Sequence, residues 1–355
     1  MRRAPRASKA THLYTILHLR TYSLYANLYV TSPPTLPIGT AHQGRLFRYM
    51  PTPQPDKKPY TKPALTHQEQ LDLLISRGLS ISDTSLAIDL LGHINYYRLR
   101  SYSIVFEANS ELHTFKPNTT LDDVQRLYNF DRELRIHIMV AMEVIEVSLR
   151  TKLAYNLSHA AGPHAHLDKQ HFTNTIRHKE LIDVLIEDTK RGSEVFVEHF
   201  KNEYLEILPP LWAVVEIMTF GQISHLYNNI ASNAIKKQIA REYDLSAPVA
   251  QSIFHHLTIV RNHCAHHSRL WNRAIAYKAK LPHINTDPLS LSLQRNKHQL
   301  AKIYNSLVFI SHLHKIIVQG STWHTDLVEL LKKYNIDVRA MGFPDDYEKL
   351  PTWLE

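Results

Sequence analysis

Cysteine is almost missing. Cys264 stands alone among 355 residues, which excludes an intramolecular disulfide framework and a Cys-rich zinc module. Glycine is scarce, at nine residues, and no low-complexity run occurs, so collagen-like and wholly disordered classes are excluded. No apolar stretch reaches the roughly 18 residues of a membrane span. A cytoplasmic protein without a membrane partner is the expectation.

Acidic residues are absent from the first 50 positions, where Arg2, Arg3, Arg6, Lys9, Arg20, Arg45 and Arg48 supply seven positive charges. The whole chain has 41 Lys and Arg against 33 Asp and Glu, so residues 51–355 hold 34 against 33 and are nearly neutral. The formal net charge of +8 therefore belongs mainly to the extension and says little about the partners of the body. Residues 1–50 lack helical periodicity and carry Pro33-Pro34 and Pro37. Their composition leaves three readings open: a transit peptide, a disordered basic arm, or upstream sequence ahead of a true start at Met50. Arg20 interrupts the apolar stretch from Leu13 to Leu19, which argues against a secretory signal. Residues 51–63, PTPQPDKKPYTKP, form a Pro/Lys-rich linker that cannot propagate a helix.

From residue 64 to about 350 the signals are helical. Thr66-His67-Gln68-Glu69 is a capping box ahead of Leu71, Leu74 and Ile75, with Gly78 as the stop. Asp83 is placed to cap a second helix closed by Gly92, and Tyr96-Tyr97-Arg98 begins a third. Thr120 opens the longest pattern, with apolar residues at Val124, Leu127, Leu134, Ile138, Met142, Ile145, Leu149 and Leu153, ended by Gly162-Pro163. Further helices are predicted near 177–190, 211–230, 232–243, 247–267, 294–319 and 322–334. Few runs alternate as strands do. The fold class is all-α, in one continuous helical domain.

The densest polar cluster, Arg261-Asn262-His263-Cys264-Ala265-His266-His267-Ser268-Arg269-Leu270-Trp271-Asn272-Arg273, sits at the end of the apolar helix that contains Ile253, Leu257 and Val260. Basic groups there complement the helix dipole, so helix termination is the plain reading. With 24 His in the chain, any Arg meets a His four to six residues on about one time in five, and the spacing alone is weak evidence. On an ideal helix Asn262 and His266 fall about 40° apart, whereas Arg261 and His266 differ by about 140°. Arg and His therefore converge only if the helix ends near His266 or if two copies pair about a two-fold axis. Such a site suits RNA cleavage without a cofactor. A histidine can exchange a proton with the 2′-hydroxyl or the leaving oxygen. An arginine can hold the phosphate, and Asn262 can orient either.

Arg261–Arg273 closely resembles the signature of the AbiD/AbiF-type abortive-infection proteins. Lys62-Pro63 with Arg77-Gly78-Leu79, then Ile94-Asn95-Tyr96-Tyr97-Arg98-Leu99, resemble the family's opening motifs. Tyr128-Asn129-Phe130-Asp131-Arg132-Glu133-Leu134-Arg135, continued by Ile145-Glu146-Val147 and Leu149-Arg150, is similar to the third. Pro210-Leu211-Trp212 with Thr219-Phe220-Gly221, and Met341-Gly342-Phe343-Pro344, resemble the remaining ones. Residues 1–50 have no counterpart. The resemblance implies an Abi-like helical domain over 64–350, related to the HEPN superfamily of metal-independent ribonucleases that use an Arg-x4–6-His motif. It implies a phage-defence toxin acting as an endoribonuclease, with Arg261, Asn262 and His266 as catalytic residues and His267 as the looser alternative. It also implies an RNA substrate, a homodimer and restraint by a small noncoding RNA in some relatives. The alternative is a non-enzymatic module that holds a regulatory RNA, and a third reading is a scaffold that senses a phage component.

The remaining candidates each have a plain reading beside a functional one. Arg269 and Arg273 are candidate phosphate contacts, while Trp271 anchors the loop or supports the site. Tyr96, Tyr97 and Arg98 can stack on bases, although a helix junction is the commoner use. Glu146 and Arg150 form an i,i+4 ion pair, and the sharper reading turns Glu146 toward Arg261 or His266. Histidines crowd 159–178 and 255–267, but no H-E-x-x-H or Cys/His spacing supports a metal. No cofactor is expected.

Overall fold

The computed structural model describes residues 60–192 and 194–354. The expectations for residues 1–50 and for most of the 51–63 linker lie outside the described residues. Residues 64–355 form one compact unit, and it is all-α apart from a small hairpin, as its apolar periodicity predicts.

Helix α1 (His67–Ser76) starts at the Thr66 capping box, in which Thr66 and Glu69 each satisfy the other's backbone N–H. It stops where Gly78 takes φ +92°. Asp83 caps α2 (Thr84–His93) through the N–H of Leu86, and Asn95 caps α3 (Tyr96–Ser103). Strands β1 (Glu107–Asn109) and β2 (Thr114–Phe115) pair antiparallel, a short hairpin with no sequence signal strong enough to mark it.

Helix α4 (Leu121–Ala161) is 41 residues long. Thr120 and Asp123 form a second capping box at its start, and Gly162 at φ +90° ends it. Phe130, Leu134, Ile138, Ala141, Ile145, Leu149, Leu153 and Leu157 are buried along its length. So much of its circumference is covered because seven other helices pack on it. These are α3, α7 (Leu211–Val214), α8 (Phe220–Asn229), α9 (Asn233–Arg241), α10 (Ala247–Ala265), α12 (Tyr304–Ile317) and α13 (Trp323–Tyr334). Helices α5 (Thr175–Arg191), α6 (Val195–Glu203), α11 (Pro288–Ser292) and α14 (Pro351–Leu354) are the remaining α-helices among the described residues.

Two predicted helices come out differently. The run 211–230 is two helices, because Thr219 starts a fresh capping box with Gln222 and so breaks the first. The run 294–319 is helical only from Tyr304; before it, Asn296 bonds the backbone of His298, and Asn305 holds the chain at Gln294. Such local bonds compete with helix formation. Helix α6 and the short α11 had no clear periodic signal.

Candidate functional site

Helix α10 delivers the polar cluster. Its buried face, Ile253, Phe254, Leu257, Val260 and Cys264, packs into the core, between α4, α8, α9 and α12. Burial pushes the Cys264 thiol up to about 12, so it behaves as an apolar group. The helix ends in a Schellman turn. His266 is the C-cap and its N–H still reaches Asn262 O at 2.9 Å. His267 takes the left-handed conformation at φ +54°, its N–H bonds Cys264 O, and the Ser268 N–H bonds His263 O. The left-handed position usually falls to glycine, and a histidine there is uncommon.

The candidate catalytic groups divide between two environments. Asn262, His266 and His267 are exposed. Arg261 is largely covered and its Nε lies 3.8 Å from Oε2 of Glu146 on α4. Glu146 also accepts from Arg150 at 2.5 Å, and Arg150 in turn donates to Met218 O at 2.7 Å. One carboxylate thus joins the i,i+4 pair and also faces the motif arginine. Glu146 is only 9% exposed. Burial raises its carboxyl above the ordinary value, and the two arginines pull it back down. His263, beside the candidates, is held below its ordinary value by burial, then by Arg273 and His266.

The loop after α10 is fastened to α3 and α4. Arg98 donates to His267 O at 2.7 Å and stands 5.6 Å from the ring centre of Tyr128. Arg269 donates to Ser101 O, and Arg273 donates to Arg269 O at 3.4 Å. Tyr96 accepts from Arg77 at 2.8 Å, at the junction of α1 and α3. Trp271 is buried, and Asn272, at φ +53°, accepts from Lys302. Arg98, Arg269 and Tyr96 thus hold the chain's own groups.

Sequence reasoning assigned no role to Asp131 and Arg135. Asp131 is fully buried and accepts from Leu270 N–H at 3.0 Å, Trp271 N–H at 2.6 Å, the Tyr102 hydroxyl at 2.7 Å and Arg135. Arg135 also approaches Ser268 O, at 3.4 Å. Their signal was present: Asp131 and Arg135 fall in register with Leu127, Leu134 and Ile138 on the apolar face, where an ion pair needs partners.

Within the two histidine groups, His256 and His178 serve hydrogen bonding and packing. His256 lies between Tyr277 O and the Ser306 hydroxyl, each at 2.7 Å. His178 stacks on Phe172 and bonds His166 O at 2.8 Å. Among the described residues no group of three or more His, Cys, Asp or Glu is placed to hold a metal ion. No helix among them is long and apolar enough to cross a membrane.

An all-helical domain whose long central helix grips a polar helix end through two buried carboxylates is the class defined by this geometry. A family model described as Abi-like protein matches residues 89–272, just over half of the chain, and the chain belongs to that family. The match ends one residue after Trp271, so it contains α4, α10 and the whole Schellman turn; the motifs at 62–79 and 341–344 lie outside it. Membership suggests a role in abortive infection, a defence against phage. No curated protein and no solved structure matches the chain.

Proposed function

We propose that this protein is a metal-independent endoribonuclease of the HEPN type, acting in phage defence by cleaving RNA. The observation that carries the reading is the division at the end of α10. An exposed amide and imidazole, Asn262 and His266, adjoin an arginine whose Nε faces the buried carboxylate of Glu146 at 3.8 Å. A guanidinium is a planar fork of N–H donors, the shape that suits two phosphoryl oxygens. In the reaction the ribose 2′-oxygen attacks the adjacent phosphorus and the bond from phosphorus to the 5′-oxygen breaks. His266 exchanges the proton, and Arg261 offsets charge on the phosphoryl oxygens. The products carry a 2′,3′-cyclic phosphate and a 5′-hydroxyl.

The active unit in this reading is a homodimer. Along α4 the exposed positions Arg132, Ile136, Val140, Glu143, Val147, Thr151 and Tyr155 form one stripe. Its middle, Glu143 to Val147, flanks Glu146. Antiparallel pairing of two such stripes would set the two Arg261 neighbourhoods close together, which supports a site built from two copies.

The test is incubation of the full chain with labelled single-stranded RNA in EDTA, followed by end analysis and light scattering of the protein. Cyclic-phosphate products, lost in His266→Ala, and a dimeric mass agree with the reading. Products with 3′-hydroxyls, or cleavage that survives the loss of both His266 and His267, overturn the mechanism. Salt-dependent RNA binding without cleavage would instead favour the RNA-holding module.

A further inference from the structure

We infer that Asp131 is a positioning residue of the candidate site, setting where His266 and His267 stand. The inference rests on the ribonuclease reading for its catalytic readout, but its structural part stands on contacts alone.

Helix α4 touches the motif segment at both ends. Glu146 meets Arg261 before the turn, and Asp131 binds the backbone of Leu270 and Trp271 after it. The two carboxylates are 15 positions apart on one helix, which amounts to about 22 Å of rise and an angular offset of about 60°. They therefore lie on the same side of α4, and the segment between its two held ends includes His266 and His267. Helix α4 sets the span because its rise is rigid.

The bonds at the Asp131 end are directional and saturated. An ionised carboxylate has about four acceptor positions, and Asp131 receives two backbone N–H groups, the Tyr102 hydroxyl and the Arg135 guanidinium. Leu270 and Trp271 are buried, so their N–H groups have no access to bulk water in compensation. The Tyr102 hydroxyl is kept protonated, since burial and then the Asp131 charge raise it. Arg135, held by Asp131, reaches on to Ser268 O, and Arg98 takes His267 O. Loss of the carboxylate charge would release Arg135 and the Leu270 and Trp271 N–H groups, and so weaken the grip at 268 and 270–271 and leave 267 to Arg98. The left-handed His267, unfavourable for a residue with a Cβ, persists because these contacts over-determine it.

The test compares Asp131→Asn with Leu153→Ala, a core control on the same helix far from the turn, at a temperature where circular dichroism shows both folded. The expected result for Asp131→Asn is a kcat at least tenfold lower, with KM within threefold. Amide exchange at Leu270 and Trp271 should be at least tenfold faster than in the control. Asp131→Glu should restore part of the kcat. Wild-type kcat in folded Asp131→Asn, or equal losses in Leu153→Ala, would overturn the inference. If the unaltered protein cleaves no RNA, the ribonuclease reading fails, and amide exchange alone then decides whether Asp131 holds the turn. Exchange no faster than in the control would sink that as well.

Discussion

Glu146 Oε2 lies 3.8 Å from Arg261 Nε while its other oxygen takes Arg150 at 2.5 Å, so one buried carboxylate on α4 serves a helix-stabilising pair and the motif arginine together. Glu146→Gln keeps the shape and removes the charge that both guanidinium groups face. Two partly buried cations then lose a shared counter-charge, although Arg150 still has Glu216 at 3.8 Å, and the expected loss of stability is about 1–3 kcal/mol. RNA cleavage should fall further than stability explains, because Arg261 is no longer oriented. Urea unfolding set beside cleavage rates at a temperature well below Tm checks both parts.

His266 and His267 can be told apart through the backbone. His267 occupies the left-handed position where glycine is favoured. His267→Gly should therefore raise stability by about 0.5–1 kcal/mol and keep cleavage within a few-fold. His266→Ala should lower cleavage by about 10²–10⁴-fold, the usual worth of a general acid–base group. The opposite pattern would transfer the proton-handling role to His267.

Acid should weaken the fold through two buried imidazoles. Burial lowers His166 and His256 to about 4 from an ordinary 6.5. Between those values the unfolded chain binds the proton and the folded one does not, so stability is full above about 6.5 and is lost as pH falls toward 4. At pH 5 each contributes a loss of about 2 kcal/mol. Neither ring nitrogen of His166 has a hydrogen-bond partner among the described residues, and its neighbours His164 and His178 add to the shift. His166→Leu should leave stability at pH 7 unchanged or higher and remove its share of the acid loss. Denaturant titrations at pH 7 and pH 5 measure this.

Gly342 cannot accept a side chain. It sits at φ +89°, and a Cβ would stand 2.6 Å from Lys302 Cβ. Gly342→Ala combines backbone strain with a clash, and the expected cost is about 2 kcal/mol or more. Calorimetry of the variant checks it; a Tm within a degree of the parent would contradict the geometry.

Periodicity and capping chemistry are local, and local physics was readable. Thr66, Asp83, Thr120 and Gly162 bound α1, α2 and α4 where the residue types require, because a cap is a bond between neighbours in the chain. The break at Thr219 was also written locally, as a capping box inside an apolar run, but the apolar pattern alone does not reveal it. The start of α12 depended on Asn305 folding back on Gln294.

The sequence by itself determined the helical class and the extent of the longest helix, and it singled out the cluster from Arg261 to Arg273 as the candidate chemical centre. Only the tertiary structure decided how that cluster is held. Asp131 is more than a hundred residues from Leu270 and Trp271, and Glu146 from Arg261, and whether a buried carboxylate meets them or nothing depends on which helices pack against α4. Arg98 and Arg269 are open to both an RNA-contacting and a structural reading in the sequence, and packing brings them against backbone carbonyls. Charge is a property of composition, whereas the partner that neutralises it is a property of the fold.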